Sequence, residues 1–408
     1  MNKHVFIAGA LIVGLSSNVI FSQEKKKQKE IVETLDEVVI TATKFSLQKE
    51  NTGKVIYKIT QKQLQNNVGK SVVDVLNTIV GIEIKGNATN SSEPKSMYVR
   101  GGRSRQVLIL IDGVPVSDPS GINQEYDLRF LSLDQIESIE VLKGASSTLY
   151  GSSAASGVIN IQLKKATNQK LAATYQSSIA TNNNTSNSSP IASNKSQRIQ
   201  LNGHIGKFNF LGSFNLSGVD GMSSAKTTSK SVFEHDTYYS ENTLLKLGYE
   251  ITEKFKITSF FSVDDFEYDF DAGAFLDADT NIGNQQQTRI GIRPSIQHDA
   301  GELYVLASIN TTKRAFKQLN TFSMALDEYR YKGISYNLDV VHKLLFSDYG
   351  FQLITGVNYQ EHYNTTVTPF GSIDENTANF NTFDPYASLV CILENGLSIN
   401  VGGRLNMH

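Results

Sequence analysis

The chain has 408 residues, which favours two structural units over one and leaves ample material for a core. Lysine plus arginine (38) nearly balance aspartate plus glutamate (40), so a net charge of -2 offers no bulk attraction to nucleic acid or an anionic surface. The single cysteine, Cys391, excludes an intramolecular disulfide, and no Cys/His cluster has the spacing of structural zinc.

Lys3 and His4 open a short basic start, followed by an apolar stretch from Val5 to about Val13 and a second, small and apolar stretch ending at Phe21-Ser22. This is the layout of a secretory signal peptide over residues 1–22. A transmembrane anchor is the competing reading, but Gly9, Gly14 and Ser16 to Asn18 interrupt a segment already at the short limit for a spanning helix. No other stretch could cross a bilayer as a helix, so membrane insertion would have to use strands. Residues 23–50 are polar and charged and read as a flexible tail. Inside it, LDEVVITATK (Leu35 to Lys44) is a β-prone patch without a neighbour of its own, suited to pairing with a partner's strand.

Residues 51–166 alternate between helix and strand signals and predict a compact α+β domain. Thr60 with Gln63, and Ser71 with Asp74, form capping boxes; Val72, Val75, Leu76 and Ile79 follow at helical spacing until Gly81 ends the helix. GIEIKG, SMYVRGG, QVLILIDGVPVS, SIEVLKG and GVINIQLKK read as strands. Arg100, Arg103, Arg105, Glu137, Glu140 and Lys143 place both signs of charge in segments that should be enclosed, which predicts ion pairs within the domain and to its surroundings.

From residue 167 to 408 helical periodicity disappears, and segments of roughly ten residues alternate in character as transmembrane β-strands do. In FNFLGSFNLSG, Phe208, Phe210, Phe214 and Leu216 share one face, and Asn209, Ser213, Asn215 and Ser217 the other. Short turns such as Ile251 to Lys254 alternate with long loops such as Thr181 to Ser196 and Asp264 to Asn284, the asymmetry of an outer-membrane barrel. About eleven strands fit before the end; a closed single-chain barrel needs an even number, so the chain reads as the N-terminal part of an incomplete antiparallel barrel. A soluble β-sandwich or β-solenoid is the competing architecture. Tryptophan is absent, and 17 tyrosines and 21 phenylalanines must supply any aromatic girdle.

The runs MYVRGGRSRQVLILIDGVPVSDPSG and IESIEVLKGASSTLYGSSAASGVINI closely resemble the plug of TonB-dependent outer-membrane receptors, most like the cobalamin transporter branch. The resemblance is strong over about Leu35 to Lys165 and loose over the barrel. It implies a receptor in the outer membrane that imports a scarce, bulky nutrient, such as cobalamin, and is not an enzyme. Periplasmic TonB would pair with a TonB box at Glu37, Val38, Val39, Ile40, Thr41 and Ala42. Outer-membrane lipid is a further partner it implies, a surface lipoprotein is one it leaves open, and nucleic acid is not a partner. Siderophore, haem or metal-chelate cargo, or a fragment that does not transport, are the alternatives. Two apical loops would contact cargo: Asn87, Asn90 and Ser91 on one, and Ser117, Asp118, Ser120, Asn123 and Gln124 on the other. The acidic run Asp264 to Asp279 is the best metal candidate, because crowded carboxylates suit a hard cation. Asp269 and Asp279, with Asp236 on the preceding loop, resemble the calcium-binding loops of cobalamin transporters.

Overall fold

The computed structural model describes residues 38–67, 69–86, 91–181, 193–221, 223–226, 233–346, 350–393 and 397–408. The expected signal peptide, the tail before Val38 including Glu37, and the loop residues Asn87 and Asn90 lie outside the described residues.

Two short strands, β1 (Val38–Val39) and β2 (Leu47–Gln48), pair antiparallel at the start. The inner domain follows with β3 (Val55–Ile59), β4 (Ile82–Lys85), β5 (Ser96–Val99), β6 (Val107–Ile111), β7 (Val114–Val116), β8 (Ile136–Lys143) and β9 (Gly157–Leu163). Its helices are α1 (Gln61–Gln65), α2 (Val72–Asn77) and α3 (Ser147–Tyr150). Five strands form one sheet in the order β3-β8-β9-β6-β7, parallel only between β6 and β9, while β4 pairs with β5 beside it. Every residue of β6 is buried, which is why VLILI is continuously apolar. Both predicted capping boxes form: Ser71 Oγ accepts from the Asp74 amide while the Asp74 carboxylate accepts from the Ser71 amide, and Thr60 and Gln63 do the same. Val72, Val73, Val75 and Leu76 on α2 then seat in the core.

The remaining strands form one antiparallel sheet, the wall. These are β10 (Ala172–Ala180), β11 (Asn194–Ile205), β12 (Phe208–Asp220), β13 (Thr237–Glu250), β14 (Phe255–Asp269), β15 (Ile282–His298), β16 (Gly301–Asn320), β17 (Ala325–Phe346), β18 (Phe351–Thr368), β19 (Gly371–Ile373), β20 (Asn379–Ile392) and β21 (Ser398–Arg404). Eleven of them pair in sequence, with β19 a side branch on β18 and β10 and β21 as the edges. The burial pattern is inside-out for a water-soluble protein: on β12, Ser213 and Asn215 are buried while Phe214 is 42% exposed. Small polar side chains face the inner domain, together with a few apolar ones that pack on it, such as Leu211, Leu244, Phe266 and Val341, while apolar ones face outward, the arrangement of a barrel wall in lipid.

Two expectations are corrected here. The stretch Asp264 to Asn284 is not one long loop, because β14 continues to Asp269 and β15 begins at Ile282. Asp264 is fully buried against Arg289 (3.1 Å) and Asn242, so its charge belongs to the wall's inner face rather than to a solvated loop. The tail is also not loose over its described part, since β1 pairs with β2 and residues 39, 41 and 42 are buried on the inner domain.

Candidate functional site

The tail segment Val38 to Ala42 is held through its backbone and through Val39 and Ala42, which are buried in an apolar cluster with Ile56, Leu108, Leu142 and Val158. Glu140, on β8 and with no exposed surface, accepts through Oε2 from the amides of Ile40 and Thr41 (both 2.9 Å) and from Thr41 Oγ1 (2.6 Å). Lys58 on β3 donates to the Val38 carbonyl (2.6 Å) and lies 3.7 Å from Glu140 Oε1. The Tyr150 hydroxyl donates to the Thr41 carbonyl (3.0 Å). Amides and carbonyls that a partner strand would need are therefore already engaged, and the segment must leave this cradle before it can pair elsewhere.

Lys44, just beyond, ties the tail to the wall: its ammonium lies 2.7 Å from Asp339 on β17 and donates to the Tyr386 hydroxyl on β20 (2.9 Å). Burial pushes the Lys44 ammonium below its ordinary range, and the Asp339 carboxylate opposes that fall. A cavity of about 460 Å³ adjoins the tail, lined by Ile40 and Lys44 with Asp112, His204, Lys246 and Arg293.

The loop Ser117 to Gln124 packs on the wall toward the end of the long connections. Asp118 is buried, 2.8 Å from Arg314 on β16, and caps Ser120; Arg314 also donates to Ser120 Oγ (2.9 Å). Asn310 donates to the Ser117 carbonyl (3.2 Å). Gly333 on β17 makes this approach possible, because a Cβ there would lie 2.8 Å from Pro119. Ser117, Asp118 and Ser120 thus anchor the loop, leaving Ile122, Asn123 and Gln124 exposed at its tip. Asn123 and Gln124 line a cavity of about 400 Å³ with Gln360, His362, Asp384 and Arg404 from the wall. Ser91, the described member of the other loop, is exposed and borders a different cavity, beside Arg129, Asp134 and Arg198.

Of the six charged residues predicted to pair, only Glu140 does so among the described residues. Arg100, Arg103 and Arg105 are exposed, Glu137 is half-buried, and Lys143 donates to the Val80 carbonyl. The ties to the wall come from Lys44–Asp339, Asp112–Lys246 (2.9 Å), Asp118–Arg314 and Asp134–Arg198 (3.4 Å). Their signal in sequence was a charge at a position that the strand alternation assigns to the small polar face, as with Asp339, Arg198 and Lys246.

Asp236, Asp269 and Asp279 are not brought together. Asp236 accepts from the amide (2.7 Å) and hydroxyl of Ser224, Asp269 accepts from the amide (3.2 Å) and hydroxyl of Thr237, and Asp279 is exposed. The neighbouring acids Glu234, Asp271 and Asp277 do converge, with one carboxylate oxygen of each within 4.8 Å of the others. Partial desolvation and a hydrogen bond with Asp277 push the Glu234 carboxyl up to about 7.

Residues 48–158 match the family model described as TonB-dependent receptor plug domain. The vitamin B12 transporter BtuB of Vibrio vulnificus is 34% identical over 130 residues, 32% of this chain and 21% of that protein. The ferrienterobactin receptor of Escherichia coli is 31% identical over 176 residues, 40% of this chain and 23% of that protein. The siderophore receptor PirA from Acinetobacter baumannii superposes with a TM-score of 0.67 at 16% identity, covering 86% of this chain and 56% of that one. The matches thus span about a fifth of the curated relatives and little more than half of the solved structure.

Proposed function

We propose, on the premise that this is a TonB-dependent receptor chain, that it serves active import of a scarce, bulky nutrient across the bacterial outer membrane, with cobalamin or another corrinoid as cargo. The observation that carries this reading is the tail segment seated under the inner domain. Gripped by its backbone and next to a polar interface, it is a handle that a periplasmic partner can capture by strand pairing and pull. The inner domain is tied to the wall by ion pairs and hydrogen bonds, which exchange for water at modest net cost, and by apolar contacts such as Phe130 on Phe266 and Phe45 on Tyr304, which the pull must also break. Cargo would sit over the exposed tip Ile122 to Gln124, and the relatives named for vitamin B12 support a corrinoid.

A second cargo, an aromatic metal chelate of the siderophore kind, draws on a different observation. Tyr238, Tyr268, Phe316 and Tyr329 occupy one inward row across β13 to β17, with Gly283 between Tyr268 and Phe316. Phe316 stacks on Tyr329 with ring centroids 4.6 Å apart, and Tyr268 lies over the position a Gly283 Cβ would take. Aromatic faces in a lumen suit planar aromatic ligands.

The test replaces Val39 with proline, which removes an amide that strand pairing uses. Uptake of labelled cobalamin at limiting concentration should be lost while surface binding persists; normal uptake would remove the TonB-box assignment. Retention of a ferric catecholate but not a corrinoid by the purified protein would move the cargo to the second reading.

A further inference from the structure

Two histidines from strands that do not pair with each other meet on the outward face of the wall, at its short-turn end. His298 closes β15 and His342 stands on β17, with β16 between them, yet their Nε2 atoms are 2.9 Å apart and their ring centroids 5.1 Å apart. The strand alternation places both outward. His342 follows Val341, which is buried inward with Phe45 and Tyr304, and His298 lies two residues beyond Ile296, which is 43% exposed. Gly301 on β16 leaves the path open: it stands opposite His298 on one side and Leu344 on the other, and it has no side chain to come between the rings. A Cβ at that position would collide with the Lys343 carbonyl.

In such a contact one imidazole donates from Nε2 and the other accepts. Among the described residues neither ring has another hydrogen bond or an ion pair. Either Nδ1 can therefore carry the ring hydrogen without losing a partner, and with both rings in that tautomer two lone pairs converge on one point. Metal–imidazole bonds of about 2.0–2.1 Å at a tetrahedral centre set the two nitrogens about 3.3 Å apart, so an ion needs the present gap to widen by only about 0.4 Å. The nearby acids do not compete for the place. Asp299 lies 2.8 Å from Lys254, and Glu302 pairs across strands with Lys343 at the alternate, inward-facing positions. A donor set of two imidazole nitrogens without carboxylate selects transition metals over calcium or magnesium, which prefer oxygen.

We propose that His298 and His342 bind a divalent transition-metal ion of the zinc and copper class through their Nε2 atoms, with water in the remaining positions. The ion clips β15 to β17 across β16, a link that the hydrogen-bond ladder cannot make because those two strands are not neighbours. The next outward position on β17 is Val340, 37% exposed and paired with Val305, so the clip closes the apolar band at its short-turn edge. It faces away from the inner domain and from the cavities that border the tail and the apical loops, and it is independent of what the chain imports.

The protein, carrying no histidine tag, is stripped with chelator in an uncharged detergent, and its unfolding temperature is followed on adding Zn2+ or Mg2+. Zn2+ should raise the unfolding temperature by a few degrees and Mg2+ should not. His298→Gln and His342→Gln should each weaken Zn2+ binding by about tenfold or more, because each leaves a single nitrogen. Equal stabilisation of wild type and both variants by Zn2+ overturns the proposal, as does an equal effect of Mg2+. A measurement on the wild type alone guards against variants that fail to fold: one equivalent of Cu2+ should give an electron paramagnetic resonance spectrum split by two imidazole nitrogens. A spectrum with one nitrogen or none overturns the paired site.

Discussion

Glu140 sits on β8 with no exposed surface, and a buried carboxylate persists only where its charge is met. Here it is met by two amides and a hydroxyl of the tail together with Lys58, so one side chain both fixes the tail and keeps the tail's own donors satisfied. Replacing it with glutamine keeps the shape and one acceptor oxygen but removes the charge. Hydrogen bonds to a charged group contribute about 1.5–3 kcal/mol, so Glu140→Gln should raise the population of released tail by about tenfold or more. A nitroxide at position 38, in a background where Cys391 is serine, would report this as growth of the mobile spectral component. An unchanged line shape would show that the carboxylate does not hold the tail. Tyr150, which takes the Thr41 carbonyl, is the internal control: Tyr150→Phe removes one neutral hydrogen bond and should loosen the tail far less.

At the level of elements, the parts legible in the sequence were those whose determinants are local. The caps of α1 and α2 need only residues three apart, and both boxes form as the spacing predicts. The alternation of β12 likewise needs only a period of two to separate Phe214 from Ser213 and Asn215. Long-range pairing was not legible: nothing near Val38 marks Glu140, a hundred residues away, as the partner of the tail amides. Strand ends were also hidden, because β14 and β15 extend beyond the apolar band with charged residues that read as loop. The connections they frame bring Glu234, Asp271 and Asp277 together instead of the acids first singled out. Their pH dependence has a definite sign. Glu234 is raised toward about 7, so between its ordinary carboxyl range and that value the closed loops bind more protons than the open ones. Closure is therefore favoured at low pH and lost as pH rises through about 7. Proteolysis within residues 270–281 should accelerate from pH 5 to pH 8, and Asp277→Asn should flatten that dependence. Calcium at pH 8 should restore protection if the three carboxylates hold a cation; equal cleavage with calcium and with chelator would retire the site.

Across the whole molecule, three parts differ in how their backbone is secured, and this sets the order in which they give way. The wall is a continuous ladder in which β16 and β17 pair over twenty positions, and its outer rows are apolar and exposed. The inner sheet has shorter strands, and its apolar core runs on into the wall at Leu211, Leu244 and Phe266, beside ion pairs and polar contacts such as the Asn242 donation to the Phe130 carbonyl. The tail has a pairing of two residues on each side, the Glu140 cradle and the Lys44–Asp339 tie. Urea solvates backbone and polar groups well, so it should release these parts from the least to the most continuously bonded. Hydrogen exchange in detergent at rising urea should show residues 38–48 losing protection first, β6 and β9 next, and β16 and β17 last. Asp339→Asn should move the first step alone to lower urea, because it strands the Lys44 ammonium without moving the inner core. A single transition shared by all three would mean that the tail and inner domain cannot yield while the wall stands, and a receptor worked by pulling requires that they can.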